Sequence, residues 1–95
     1  MTKEWIEKNL EYLDWQRGQY RCFENVSFLA KTGFDFNLRV IEHIDDDGAT
    51  LLKENLNGEA IDIMKFSCKE GAYKKAREMQ IRRLCEILQI TEKKQ

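Results

Sequence analysis

Proline is absent from all 95 residues, and glycine occurs only five times. Without proline or a Gly/Ser-rich run the chain has no spacer, so the expectation is one compact domain over 1–95. No apolar run approaches the ~18 residues that a membrane span requires. Met1-Thr2-Lys3-Glu4-Trp5 lacks the apolar stretch of a secretory signal. Histidine occurs once, and the three cysteines, Cys22, Cys68 and Cys85, follow no CxxC-type spacing. The reading is a cytoplasmic protein with reduced thiols, in which cysteine behaves as a small hydrophobe. GxGxxG, Walker and HExxH motifs are missing too, so no cofactor or phosphate cradle is expected.

Hydrophobic residues, 42% of the chain, give enough material for a core, and charged residues, 35%, give a solvated surface. The net charge of −1 conceals a division. Residues 1–66 hold 13 acidic and 8 basic side chains, whereas 67–95 hold 4 acidic and 8 basic ones. The strongest imbalance runs from Asp35 to Asp62, where eight acids face only Arg39 and Lys53. Segregation of this kind bears on partners more than on fold.

Periodicity supplies the elements. Trp5, Ile6, Leu10 and Leu13 recur at helical spacing, with Tyr12 beside them. Glu4, Glu7, Lys8, Glu11 and Asp14 fill the opposite face, and Arg17-Gly18 supplies a stop. Residues 19–31 carry two patterns. Tyr20, Cys22, Val26, Phe28 and Ala30 share strand parity, while Cys22, Val26 and Leu29 share a helical face. Aromatic and β-branched content favours the strand; the alternative is a short helix ending at Gly33.

Phe34, Phe36, Leu38 and Val40 then alternate with Asp35, Asn37 and Arg39, as a half-buried strand does. Asp45-Asp46-Asp47-Gly48 is turn chemistry, a second strand covers Ala49 to Glu54, and Asn57-Gly58 suits a type I′ hairpin turn. The third strand runs from Glu59 to Phe66. Ser67-Cys68-Lys69-Glu70 reads as a capping box, with Ser67 at N-cap, opening a helix that reaches about Ile90. Its apolar residues span an arc of about 200°, enough to touch both the sheet and the first helix. The expected fold is α+β: an N-terminal helix, an antiparallel meander of three or four strands, and a long C-terminal helix packed on the sheet.

A two-residue Asn57-Gly58 loop pairs Leu52 with Ile63 and Lys53 with Asp62. If Val40 also faces Leu52, the core face carries Phe36, Leu38, Val40, Leu52, Ile61 and Ile63. The second face then carries Ile41, Leu51, Met64 and Phe66, with His43 nearby. That face is too apolar to stand open, so residues 19–31, a partner, or a second copy in a homodimer should cover it.

Candidate chemistry is sparse. Counting from His43, residues Asp45, Asp47, Gly48 and Glu54 match EF-hand loop positions 3, 5, 6 and 12. Position 1 needs an oxygen ligand and has an imidazole, so an acidic turn explains the same letters and no metal is expected. Cys68 sits near a helix start, where a thiolate is favoured, but nothing places His43 beside it. Neither a nucleophilic dyad nor a zinc site is read from these residues, and the chain is expected not to be an enzyme.

Two charged surfaces remain. Lys69, Lys74, Lys75, Arg77, Arg82 and Arg83 on the last helix form a candidate nucleic-acid surface, interspersed with Glu78 and Glu86. The order helix, three strands, helix resembles double-stranded-RNA-binding domains in topology alone. The small-residue and glycine signature that those domains carry before the last helix is replaced here by Ser67-Cys68-Lys69-Glu70. The second surface is acidic: Asp45, Asp46 and Asp47 crowd one turn, with Glu42, Glu54, Glu59 and Asp62 on the adjoining strands. The favoured reading is a small non-enzymatic protein-binding module, an inhibitor or modulator. It would dock this acidic hairpin and an apolar sheet face on a protein with a basic, nucleic-acid-binding surface. Accessory proteins of phages and mobile elements are similar in size and in Lys/Glu-rich style. Direct nucleic-acid binding through the last helix is the alternative.

Overall fold

The computed structural model describes residues 2–18 and 26–89. In chain order its elements are α1 (Lys3–Asn9), β1 (Gln16–Gly18), β2 (Val26–Lys31), β3 (Asn37–Glu42), β4 (Ala49–Glu54), β5 (Ala60–Phe66) and α2 (Lys69–Ile87). The strands form one five-stranded antiparallel sheet in the order β1-β2-β3-β4-β5. The α+β class stands, with five strands in place of three or four. Val26–Lys31 is the strand of its two alternatives, and Gln16–Gly18 adds a short one. The rest of the 19–31 segment, Cys22 included, lies outside the described residues.

β4 occupies the span expected of it, and β5 starts one residue later than expected. The loop between them is not the two-residue type I′ turn. Asn55 N–H donates to Glu59 O at 2.8 Å, Gly58 N–H to Asn55 O at 3.0 Å, and Gly58 alone in the loop has positive φ, at 88°. That is a three-residue loop closed by a left-handed glycine. A register shift at Lys53/Glu54 absorbs the extra residue, so Leu52 still faces Ile63 and Lys53 still faces Asp62.

The β3–β4 register differs from expectation by one residue. Val40 faces Leu51, not Leu52. Because side chains alternate, the slip exchanges the faces of β4 and β5. The core is Phe36, Leu38, Val40, Ala49 and Leu51, closed by Ala72 and Ala76 of α2 with Met64, Phe66 and Met79 around them. Leu52 and Ile63, expected in the core, project from the opposite face, and Ile61, expected with them, falls unpaired at the register shift and is exposed.

α2 rests on β3, β4 and β5 with one side and on α1 with another, as its wide apolar arc implies. Ala72 and Ala76 let the helix approach the sheet closely, and a second cluster joins Ile6 to Ile81 and Cys85, flanked by Leu10 and Leu84. The capping box does not form. Cys68 is the N-cap, without a side-chain hydrogen bond, and the helix starts at Lys69, one residue beyond the register that Ser67 and Glu70 need. At the other end Ile87 is the last helical residue and Leu88 the C-cap.

α1 is much shorter than its periodicity suggests, ending at Asn9 rather than near Arg17. Thr2 caps its start, accepting from Trp5 N–H at 3.1 Å. Its carbonyl end is taken by α2. The Arg77 guanidinium donates to the carbonyls of Leu10 (2.8 Å), Glu11 (2.9 Å) and Glu7 (3.3 Å), and lies 4.3 Å from the Tyr12 ring centre. Gln80, hydrogen-bonded to Arg77 at 2.7 Å, also donates to Glu11 O. This capture lets the chain leave the helix and lay Leu13 and Trp15 against the core. Trp15 meets Tyr73 edge-on, with ring centres 5.1 Å apart.

The face opposite the helices carries a polar chain across the sheet. Arg39 Nε donates to Glu54 Oε2 at 2.7 Å, Arg39 Nη1 to Ser27 Oγ at 3.0 Å, and Ser27 Oγ to Gly18 O at 3.4 Å. Glu54 is only 2% exposed. Four strands are tied by this chain, beside the apolar Ile41 and Leu52.

Two stability predictions follow from these contacts. Glu54→Ala removes the carboxylate from a half-buried cation and should cost about 3 kcal/mol in denaturant unfolding, whereas the double change Arg39→Met/Glu54→Leu should recover most of that loss. Arg77→Lys should cost about 2–3 kcal/mol, since an ammonium cannot reproduce a planar fork that meets three carbonyls. Its amide exchange should rise in α1 while β3 and β4 stay protected.

Candidate functional site

The acidic turn is built around one aspartate. Asp46 Oδ1 accepts from Gly48 N–H at 2.7 Å and lies 3.0 Å from His43 Nδ1. His43 Nε2 lies 2.8 Å from Thr50 Oγ1 on β4, and His43 N–H donates to Gly48 O at 3.0 Å. Gly48 is required by space, because a Cβ there would sit 2.6 Å from Phe66 O. The turn is therefore held in one shape from inside. Asp46 is consumed in building it, while Asp45 and Asp47 stand exposed at its tip beside Ile44, itself 61% exposed.

The remaining acidic candidates scatter. Glu42 faces the helix layer, where it accepts the Tyr73 hydroxyl and pairs with Lys69 at 3.7 Å. Burial and this carboxylate together push the Tyr73 hydroxyl well above the ordinary phenol range. Glu54 is the buried partner of Arg39 and offers no surface. Glu59 lies at the opposite turn, held by Asn55 Nδ2 at 2.8 Å, and Asp62 lies on the outer strand. The two turns are separated by the six residues of β4, roughly 20 Å. Of seven acidic candidates, three share one turn, and two of those three have no partner among the described residues.

The basic candidates are likewise divided. Arg77 clamps α1 and Lys69 pairs with Glu42. Arg83 donates to Asp35 at 3.1 Å and to Glu86 at 3.2 Å, which raises its already high pKa, the Glu86 hydrogen bond contributing most. Among the described residues Lys74, Lys75 and Arg82 have no ion-pair partner. Lys75 and Arg82 flank Met79 along a groove that also receives Lys53, Asp62 and Arg83.

Other candidate chemistry is separated by the fold. Glu54, which the EF-hand reading requires, lies at the far end of β4 from Asp45 and Asp47. Among the described residues no group of three or more His, Cys, Asp or Glu side chains could hold a metal. Both ring nitrogens of His43 are engaged within the turn, so it is not placed as a base for Cys68, which is exposed at the start of α2. No described helix is long and apolar enough to cross a membrane.

Two features lie away from where their spacing in the sequence puts them. Ile63 is 59% exposed on the sheet face away from the helices, and Ile61, 56% exposed, sits at the register shift of β5. Tyr12, assigned to a helical stripe, instead lies over Arg77 at the edge of a groove shared with Leu13, Trp15 and Tyr73. Comparison with known protein families, curated proteins and solved structures finds no match to this chain.

The geometry of the turn gives it a pH signature. Gly48 N–H, and then His43, hold the Asp46 carboxyl below its ordinary range, against a smaller opposing effect of desolvation. A depressed carboxyl stabilises fully above its unfolded pKa, about 3.9, and loses that contribution as pH falls through its folded value. The melting-temperature gap between wild type and Asp46→Ala should therefore close below about pH 4.

Proposed function

We propose that this chain is a non-enzymatic protein-binding module, an inhibitor or modulator, that docks the tip of its acidic turn on a basic surface of another protein. What supports the reading is the internal bracing of the turn by Asp46, His43 and Gly48. Bracing removes most of the ordering cost that a flexible acidic loop would meet on binding. Among the described residues Asp45 and Asp47 have no intramolecular partner, and Ile44, exposed, is the apolar residue next to them. Like charges this close repel one another, and a basic partner relieves the repulsion. A surface shaped to take phosphates, such as the nucleic-acid groove of the partner, has the complementary charge. The basic helix is less well equipped for direct phosphate contact, because Lys69, Arg77 and Arg83 are engaged internally.

The test is charge reversal restricted to the free tip. Asp45→Lys/Asp47→Lys should weaken binding to a partner isolated from the source cells by at least about tenfold, with most of the loss in the association rate. Thermal stability should be unchanged. Unaltered affinity in calorimetry would remove the turn from the interface.

A further inference from the structure

Lys75, Met79 and Arg82 stand at i, i+4 and i+7 on α2, on one face of the helix, beside β5. At 1.5 Å per residue the two cations are rooted about 10 Å apart along the axis, with the thioether between them. The opposite wall comes from the sheet. Lys53 pairs with the core-facing Leu38 and with Asp62, so Lys53, Asp62 and Met64 all point towards the helix. Between the walls lies a groove of about 330 Å³ that reaches down to Met64 and the buried Phe36. The Lys53 ammonium sits 4.7 Å from the centre of the Phe36 ring, a contact that seats it in the groove.

The charge of this groove is unbalanced. Lys53, Lys75, Arg82 and Arg83 line it against Asp62 and Glu86. Arg83 is satisfied by Asp35 and Glu86 together. Asp62 lies across from Lys53 and accepts from Ile63 N–H at 2.9 Å. Lys75 and Arg82 have no ion-pair partner among the described residues. Around the helix from them, towards α1, Glu7 and Glu78 accompany Lys3, so the positive seat is confined to the β5 side.

We propose that this groove is a second docking surface, which takes an acidic amphipathic segment of a partner protein. One apolar side chain of that segment lies against Met64 and Met79, and carboxylates on either side of it meet Lys75 and Arg82. Charge complementarity identifies the anions, and the two methionines identify the apolar part, since flexible thioethers adapt to an inserted side chain. A helix with Glu at i and i+7 and an apolar residue at i+4 has the same spacing as the α2 wall. A nucleic acid fits less well. Its phosphates form an unbroken line of charge that would pass over Asp35, Asp62 and Glu86. The Phe36 ring is buried behind Lys53, which leaves no aromatic face in the groove for a base to stack on. The groove lies towards the end of β4 remote from the acidic turn, so the two oppositely charged surfaces act independently.

Fluorescence anisotropy at low salt tests this, with a labelled synthetic helix of alanine and glutamine carrying Glu at i and i+7 and Leu at i+4. Lys75→Gln/Arg82→Gln should weaken binding about tenfold, the worth of two exposed charge contacts, at unchanged melting temperature. Lys31→Gln/Lys65→Gln removes the same charge from exposed positions outside the groove and should leave the affinity within about twofold. The Met64 and Met79 methyl resonances of the wild type should shift as peptide is added. Absence of binding, equal weakening by the two double variants, or methyl shifts confined to other residues would overturn the proposal. Two further results would replace the occupant and overturn it as well. One is tighter binding of a DNA or RNA duplex that is lost with Lys75 and Arg82. The other is sedimentation of the wild type as a dimer that Asp45→Lys/Asp47→Lys dissolves, which makes the occupant a second copy. Asp45→Lys/Asp47→Lys should not weaken peptide binding, so failure of this groove and failure of the acidic turn are separate outcomes.

Discussion

The pairing of Val40 with Leu51 decides what every side chain of the outer three strands does. Fixed by the His43–Gly48 closure, it aligns Val40, Leu51 and Met64 in one row beneath α2. The same register sends Arg39, Leu52 and Ile63 to the other side. A slip of one residue would bury Leu52 and Ile63 under the helix and expel Leu51, Met64 and Phe66. The turn that sets the register is thus also the point from which the two faces of the sheet acquire their different chemistry. Gly48, pressed against Phe66 O, ties that turn to the end of β5 as well.

This dependence explains what could be read in advance. The strands β3, β4 and β5 were legible because alternation over 34–66 is strong and the turn residues at 45–48 and 57–58 are unambiguous. The pairing Lys53/Asp62 was legible from the second turn, even though the loop is longer than supposed, because the β-bulge restores the count. The β3–β4 register was not. Four to six polar turn residues can close in several ways, and both β4 registers present an apolar residue, Leu51 or Leu52, to Val40. Only the Asp46–Gly48 and His43–Gly48 bonds choose between them.

α1 was misread for a different reason. Trp5, Ile6, Leu10 and Leu13 do fall at helical spacing, and local propensity says nothing against continuing to Arg17. What ends the helix is Arg77, far away in sequence, which accepts the role that a terminal glycine plays in a local stop. A tertiary cap has no signature near the residues that it caps. The charged candidates share this limitation. Composition shows how many carboxylates and cations a surface has, not how many are consumed within it. Glu42, Glu54, Asp46, Lys69, Arg77 and Arg83 all turned out to be structural, which leaves Asp45, Asp47, Lys74, Lys75 and Arg82 for other molecules.

Asp46 and Asp62 make the same bond in opposite settings. Each carboxylate accepts a backbone N–H one or two residues further on. In the turn no ladder competes for Gly48 N–H, so the bond is wholly constructive and fixes the shape of the loop. On β5 the bonded group, Ile63 N–H, is one that a neighbouring strand would otherwise use, so the same bond withholds an edge from pairing. A carboxylate in mid-strand is a poor choice for strand propensity, and two exposed isoleucines beside it are a poor choice for solubility.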